Sequence, residues 1–242
     1  PDVPSGDRAL VDQLVRAAAG VRGAVSLYDP AAGVGALERV RALLTRLLDG
    51  ARNARGSGAA DARESLTDGL ARATRAELLA RGIAIDADAE RDQVAQGDSV
   101  PVIVTVYDGG SASVRVDRPV VAQAGAGRGA GSAPGGASAT VRPDSAFTET
   151  VWVHGDSLSQ PWWLVTPRHG DMFPVTVDGR SDDVRDQGPT VRVSLEGGAL
   201  VADVPVVRRY ADPVRGEVRR PVMTVPPIAI TLDGTLELAR AT

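Results

Sequence analysis

The chain has 242 residues, enough to bury a core, and its 27 basic and 31 acidic side chains give a net charge of −4 with the two signs mixed along its length. That mixture leaves no basic stripe to recruit nucleic acid, the absence of cysteine removes disulfides, thiolate zinc sites and cysteine nucleophiles, and no apolar run is long enough to span a bilayer. All the basic residues are arginine, a bias that accompanies abundant Ala, Gly, Val and Asp, so arginine counts say little about recognition.

Residues 7 to 80 predict three amphipathic helices. Leu10, Leu14, Ala17 and Val21 recur at helical spacing, as do Leu37, Val40, Leu44, Leu47 and Leu48, and then Leu66, Leu70, Ala73 and Ala80. Asp29-Pro30 reads as a cap followed by proline at the first helical position, Gly56-Ser57-Gly58 as a break, and Gly82 as the end of the third helix. Their apolar faces are narrow and rich in alanine, which predicts that residues 1–81 do not stand alone but pack on a neighbouring domain.

At Gly82 the period changes from 3.6 to 2. Val100, Val102, Val104 and Val106 alternate with smaller or polar residues as a half-buried strand between a turn at Gln96-Gly97-Asp98-Ser99 and another at Asp108-Gly109-Gly110. Residues 113–122 predict a strand broken by Pro119. In residues 146–153, Phe147, Glu149, Val151 and Val153 alternate with Thr148, Thr150 and Trp152. Residues 123–139, almost all Gly, Ala, Ser and Pro, predict a disordered loop. Strands are predicted again at 172–177, 190–195, 199–210 and 228–232. The fold class expected is therefore mainly β: two tandem immunoglobulin-like antiparallel sandwiches, 82–158 and 159–242, after the helical segment.

Several motifs carry chemistry on paper. Gly155-Asp156-Ser157-Leu158 spells the esterase signature in which serine is the nucleophile, yet a Pro-Trp-Trp segment follows instead of a helix, and His169 lacks the aspartate three residues earlier that the motif requires. His154 and His169 with Asp156 or Asp171 are a legitimate zinc set by residue type, without a spacing that converges them. Asp86, Asp88, Glu90 and Asp92 alternate like the start of a calcium loop but lack its later glycine and glutamate, so an exposed strand edge or turn is expected. Gly125-Ala126-Gly127-Arg128-Gly129 has no helix behind it and reads as a loop rather than a phosphate cradle.

The least ordinary stretch is Ser159-Gln160-Pro161-Trp162-Trp163-Leu164 with Pro167-Arg168-His169-Gly170 and Met172-Phe173-Pro174. All three tryptophans, both phenylalanines and both histidines fall between 147 and 173. Trp162 and Trp163, with Arg168, His169 and Phe173, are the candidate binding or interface residues: the indoles either plug a junction between sandwiches or offer a platform to a sugar ring. No complete catalytic or metal-ligand set is expected.

From Gly82 onward the chain resembles the C-terminal region of large bacterial PIG-L (LmbE-like) deacetylases. The resemblance rests on Gly97-Asp98-Ser99-Val100-Pro101-Val102, on the stretch from Ser159 to Phe173, and on Val206-Val207-Arg208-Arg209-Tyr210-Ala211-Asp212-Pro213-Val214-Arg215-Gly216-Glu217, and it covers about two-thirds of the chain. It implies a parent hydrolase that removes acetyl groups from N-acetylglucosamine-type substrates with zinc. The family's Ala-His-Pro-Asp-Asp-Glu type motif does not occur here, so no catalytic or metal residue is carried over, and zinc is expected only in a catalytic domain outside this sequence. The expectation is a non-catalytic accessory region, cut from a longer polypeptide since it starts at Pro1, with the catalytic domain as its partner and a glycan as a further one. Rival readings are a free-standing carbohydrate- or protein-binding module and a GDSL-type esterase; the compartment stays open.

Overall fold

The computed structural model describes residues 8–26, 28–52, 54, 58–122, 138–159, 167–172 and 188–228. Three helices come first: α1 Arg8–Ala24, α2 Val34–Ala51 and α3 Ala59–Ala80, with a 3-10 turn at Pro30–Gly33 leading into α2. The Asp29-Pro30 cap forms as read, for Asp29 Oδ1 accepts the Ala32 N–H at 3.3 Å and the proline occupies a position whose N–H would have had no intrahelical acceptor. Gly82 closes α3 at φ +76°, and a side chain there would meet the Gly110 backbone nitrogen at 2.7 Å, so both handedness and room demand glycine.

The helices differ in how much they bury. α2 hides a full stripe of Leu37, Val40, Leu44, Leu47 and Leu48, whereas α1 has no buried residue and lays Leu14, Ala17 and Val21 partly covered against Val40, Leu44 and Ala73. α3 joins the layers, since Ala73 belongs to the helical cluster while Leu78 enters the main core between the sheets. α3 packs on β1 (Ile83–Ala89) and β9 (Leu200–Pro205), so the neighbour that the helices were expected to need is present within this chain.

The remaining strands are β2 Gln93–Ala95, β3 Ser99–Asp108, β4 Val114–Val116, β5 Val120–Ala122, β6 Ala139–Val141, β7 Ser145–His154, β8 Thr190–Leu195, β10 Val207–Asp212, β11 Gly216–Pro221 and β12 Met223–Val225. One sheet has the order β11-β10-β1-β3-β7; in the other, β8 runs between β9 on one side and β4 and β5 on the other, with β6 beyond β4. β2 and β12 form a short parallel pair. Strand alternation explains the core: Val100, Val102, Val104 and Val106 of β3 are fully buried and meet Val116, Val191, Val193 and Leu195 from the opposite sheet. Each such side chain contributes about 1.5–3 kcal/mol relative to exposure.

The break read at Pro119 is a bulge. Val116 pairs with Leu195 and Val120 with Arg192, so four steps along one strand stand against three along the other, and Pro119, with no N–H to donate, sits among the extra residues.

The expected division into two tandem sandwiches, 82–158 and 159–242, is corrected. β1 pairs in parallel with β10 at Asp88↔Val207, and β5 pairs with β8, so strands from both sides of residue 159 build the same sheets over one shared core. Helices and strands both build the fold, and the sheets are mixed and antiparallel, so the architecture is not purely β. The strand read at 199–210 is two strands parted at Val206, whose N–H bonds to Pro189 O. The strands read at 172–177 and 228–232 and the loop at 123–139 fall wholly or mostly outside the described residues.

Candidate functional site

The longest uninterrupted ladder among the described residues joins β3 and β7, ten residue pairs from Ser99↔His154 to Asp108↔Ser145. The valines of β3 point inward, so the alternate set points to solvent: Ser99, Pro101, Ile103, Thr105 and Tyr107. Opposite them on β7 stand His154, Trp152, Thr150, Thr148 and Ala146. Trp152, Ile103 and Tyr107 remain 55%, 50% and 42% exposed, large rings and a branched side chain held open on a flat surface. No formally acidic, lysine or arginine side chain lies on this two-strand face, although 24% of the chain is charged.

Charge begins on the next strands. Asp86 and Asp88 on β1 receive Arg209 of β10 at 3.1 and 2.5 Å, and Arg219 of β11 pairs with Glu217 at 2.6 Å. Burial works against the Arg209 charge, but Asp88 and Asp86 outweigh it and raise its pKa, while Arg219 holds the Glu217 carboxyl below its ordinary value. Asp92 forms ion pairs with Arg208 and Arg220 at 3.5 and 3.4 Å, and both guanidiniums lie over the Tyr210 ring, 5.6 and 5.5 Å from its centre. Of the alternating acids that resembled a calcium loop, Asp86 and Asp88 are thus residues of β1, an interior strand rather than an edge, and Asp92 follows it in a bend; all three are paired to arginines. The Arg-rich hairpin of β10 and β11 is met by acids within its own sheet.

A second polar cluster lies where the helices meet the sheets. A cleft of about 210 Å³ is lined by Glu38 and Arg41 of α2, Glu77 and Arg81 at the end of α3, and Leu195 and Ala199 around the β8–β9 turn. Glu77 is fully buried and accepts Arg41 Nε at 2.7 Å, Arg81 Nε at 3.1 Å and Arg81 Nη2 at 3.0 Å. Both carboxylate oxygens are therefore occupied, and the cluster fastens layers together rather than presenting a reactive group.

Of the residues expected to form a site, Trp162, Trp163 and Phe173 lie outside the described residues. Arg168 and His169 are exposed, His169 in a tight turn that bridges to Met172 through Gly170 at φ +58°. The Gly155-Asp156-Ser157-Leu158 run is the turn that leaves β7: Gly155 donates to Asp98 O and accepts from Gly97 N, both at 2.9 Å, and a side chain there would strike Ala95 O at 2.7 Å. Ser157 is exposed, and Ser159 then fastens the chain to β12, its Oγ accepting Thr224 N–H at 2.9 Å. Among the described residues no group of three or more His, Cys, Asp or Glu side chains is placed to hold a metal ion. Among the described helices none is long and apolar enough to cross a membrane.

Sequence reading passed over Trp152, Ile103 and Tyr107 as a set. The signal was in the alternation, for once Val100 to Val106 face inward, Ile103 and Tyr107 must face outward.

The fold and this face define a helix-capped pair of β-sheets with an open, uncharged strand ladder. No family model matches the chain, and no match is found among curated proteins. Among solved structures, it is similar to a Pseudomonas fluorescens alkylpurine DNA glycosylase AlkC bound to DNA containing an abasic site analog, at 15% identity and a TM-score of 0.25. The alignment covers 75% of this chain and 48% of that one, so this chain spans about half the length of that protein, and a likeness this distant carries no argument about function.

Proposed function

We propose that this chain is a non-catalytic accessory module of a larger PIG-L-like, zinc-dependent deacetylase, which braces the catalytic domain or holds its substrate through the open face of β3 and β7. The observation that supports this reading is the uncharged ladder carrying Trp152, Ile103 and Tyr107, a surface suited to contact and without a proton-transfer group at its centre. The resemblance quoted above supplies the parent, and zinc belongs to that parent's catalytic domain. The finer fold reading, an immunoglobulin-like arrangement, is supported by the antiparallel set β1-β3-β7 facing β8 and β9 over a valine core. A free-standing binding module is the second reading, favoured by the same face, which needs no other domain to be complete.

The test uses the whole parent polypeptide. Trp152→Ala is expected to raise KM for a large substrate several-fold while leaving kcat on a small acetylated sugar unchanged. An upstream sequence without a His-Pro-Asp-Asp motif removes the parent and leaves the free-standing module. Ester hydrolysis by the 242-residue chain that Ser157→Ala abolishes overturns both in favour of the GDSL-type esterase.

A further inference from the structure

The open face is a surface of particular chemistry, and its composition selects among partners. Four hydroxyls, those of Ser99, Thr105, Thr148 and Thr150, are interleaved with the rings of Trp152 and Tyr107 and the side chain of Ile103. An apolar protein surface pressed onto this face would strip water from those hydroxyls, at a cost of about 1–3 kcal/mol for each left without a partner. A nucleic acid or acidic polymer would find no arginine on the ladder face itself; Arg91, which donates to Ser99 O at its end, is paired with Asp98, and on the adjoining strand Asp86 and Asp88 are held by Arg209. The complementary partner carries no charge, offers many hydroxyls, and has flat apolar patches that stack on indole and phenol rings.

Length makes the selection sharper. Ten paired residues at about 3.4 Å each form a rail of roughly 34 Å. Trp152 stands opposite Pro101, and Tyr107 lies six residues further along β3, about 20 Å away, with Ile103 between them. A single sugar touches one of these positions; a chain of sugars touches all three.

We propose that the β3–β7 face binds a neutral, extended polysaccharide, stacked on Trp152 and Tyr107 and hydrogen-bonded by the serine and threonine hydroxyls between them. This deepens the accessory-module reading and rests on it. The proposal concerns holding of a polymer only, and no bond is made or broken.

The test titrates the full 242-residue chain calorimetrically with cellohexaose, mannohexaose and xylohexaose, with heparin and polygalacturonate as charged probes and glucose as the monomer. At least one neutral hexasaccharide is expected to bind, with glucose at least tenfold weaker and the charged polymers weaker than the neutral ones. Trp152→Ala should weaken hexasaccharide binding at least tenfold with an unchanged thermal melt, and Trp152→Tyr should restore most of it. Absence of binding by all three neutral hexasaccharides at millimolar concentration, stronger binding of a charged polymer, or affinity that survives Trp152→Ala each overturns the proposal. So does self-association by sedimentation that Trp152→Ala abolishes, which would assign the face to a second copy of the chain. The failures are distinguishable: if no glycan binds but Trp152→Ala still exposes the parent's catalytic domain to protease, the glycan fails and the bracing role stands.

Discussion

Arg41 Nε donates to Glu77 Oε2 at 2.7 Å across thirty-six residues of chain, and Arg41 Nη1 donates at 2.7 Å to the carbonyl of Ala199. One guanidinium thereby ties α2, α3 and the β8–β9 turn together around a carboxylate with no access to water. Removing the carboxylate strands two arginines at the seam. Glu77→Ala is expected to destabilise the chain by about 3 kcal/mol, the low end for breaking a buried pair because Arg41 and Arg81 keep part of their surface in water. A urea melt reads the effect, and an unmoved midpoint would show that the seam holds without its charges.

The helical layer leans on the sheets through few contacts of its own. α1 buries no residue, the helical cluster rests on Val40, Leu44 and Ala73, and Leu78 of α3 belongs to the sheet core. Residues 1–81 expressed alone are therefore expected to show weak helicity, since ordering each residue costs about 1–2 kcal/mol and the small apolar faces return little. A cooperative, strongly helical melt from that fragment would sink the expectation.

Trp152 and Leu195 test the two sides of the sheets. Trp152 is more than half exposed, so Trp152→Ala should shift stability by no more than about 0.5 kcal/mol, whereas Leu195→Ala, at a fully buried position shared by β4, β8 and β9, should cost about 2–5 kcal/mol. Similar midpoints for the two variants would mean that the open face is covered in solution.

Gly82 and Gly110 approach each other where α3 gives way to β1, and a Cβ on Gly110 would come within 2.2 Å of Arg81 O. Both Gly82→Ala and Gly110→Ala should lower the thermal midpoint, Gly82→Ala by more than about 1 kcal/mol because strain from its positive φ adds to the clash. A neutral Gly82→Ala would mean the turn can re-form elsewhere.

Two turns carry a pH dependence. The Ser99 backbone N–H, and then the Arg91 guanidinium at 2.6 Å, lower the Asp98 pKa from its ordinary 3.8; the Arg215 and Val214 backbone N–H groups do the same for Asp212. A carboxyl depressed in the folded state contributes stability that is complete above its unfolded value and lost as the pH falls through the lower, folded one. The β2–β3 and β10–β11 turns should therefore hold through pH 4 and loosen only below it, read by amide exchange at Ser99 and Arg215 and by carboxyl titration. Midpoints at or above 3.8 for both groups would contradict the assignment.

Local pattern determined the elements. The 3.6 period of Leu37 to Leu48, the Asp29-Pro30 cap, Gly82 and the valine alternation of 100–106 each act over one or two turns of chain, and the elements they predict are present. β11 went unread because Gly216 to Pro221 is too charged for a strand pattern; it becomes a strand by pairing with β10. Which strands pair was decided only in three dimensions. Valine strands bury similar area against any partner, so their pattern carries no address, and the parallel bond of β1 to β10 and the antiparallel bond of β5 to β8 depend on contacts more than sixty residues apart. The same holds for the site: alternation alone sends Trp152, Ile103 and Tyr107 to one face, but that face remains open because the helices pack on β1 and β9, where Glu77 and Leu78 anchor them, rather than over β3 and β7.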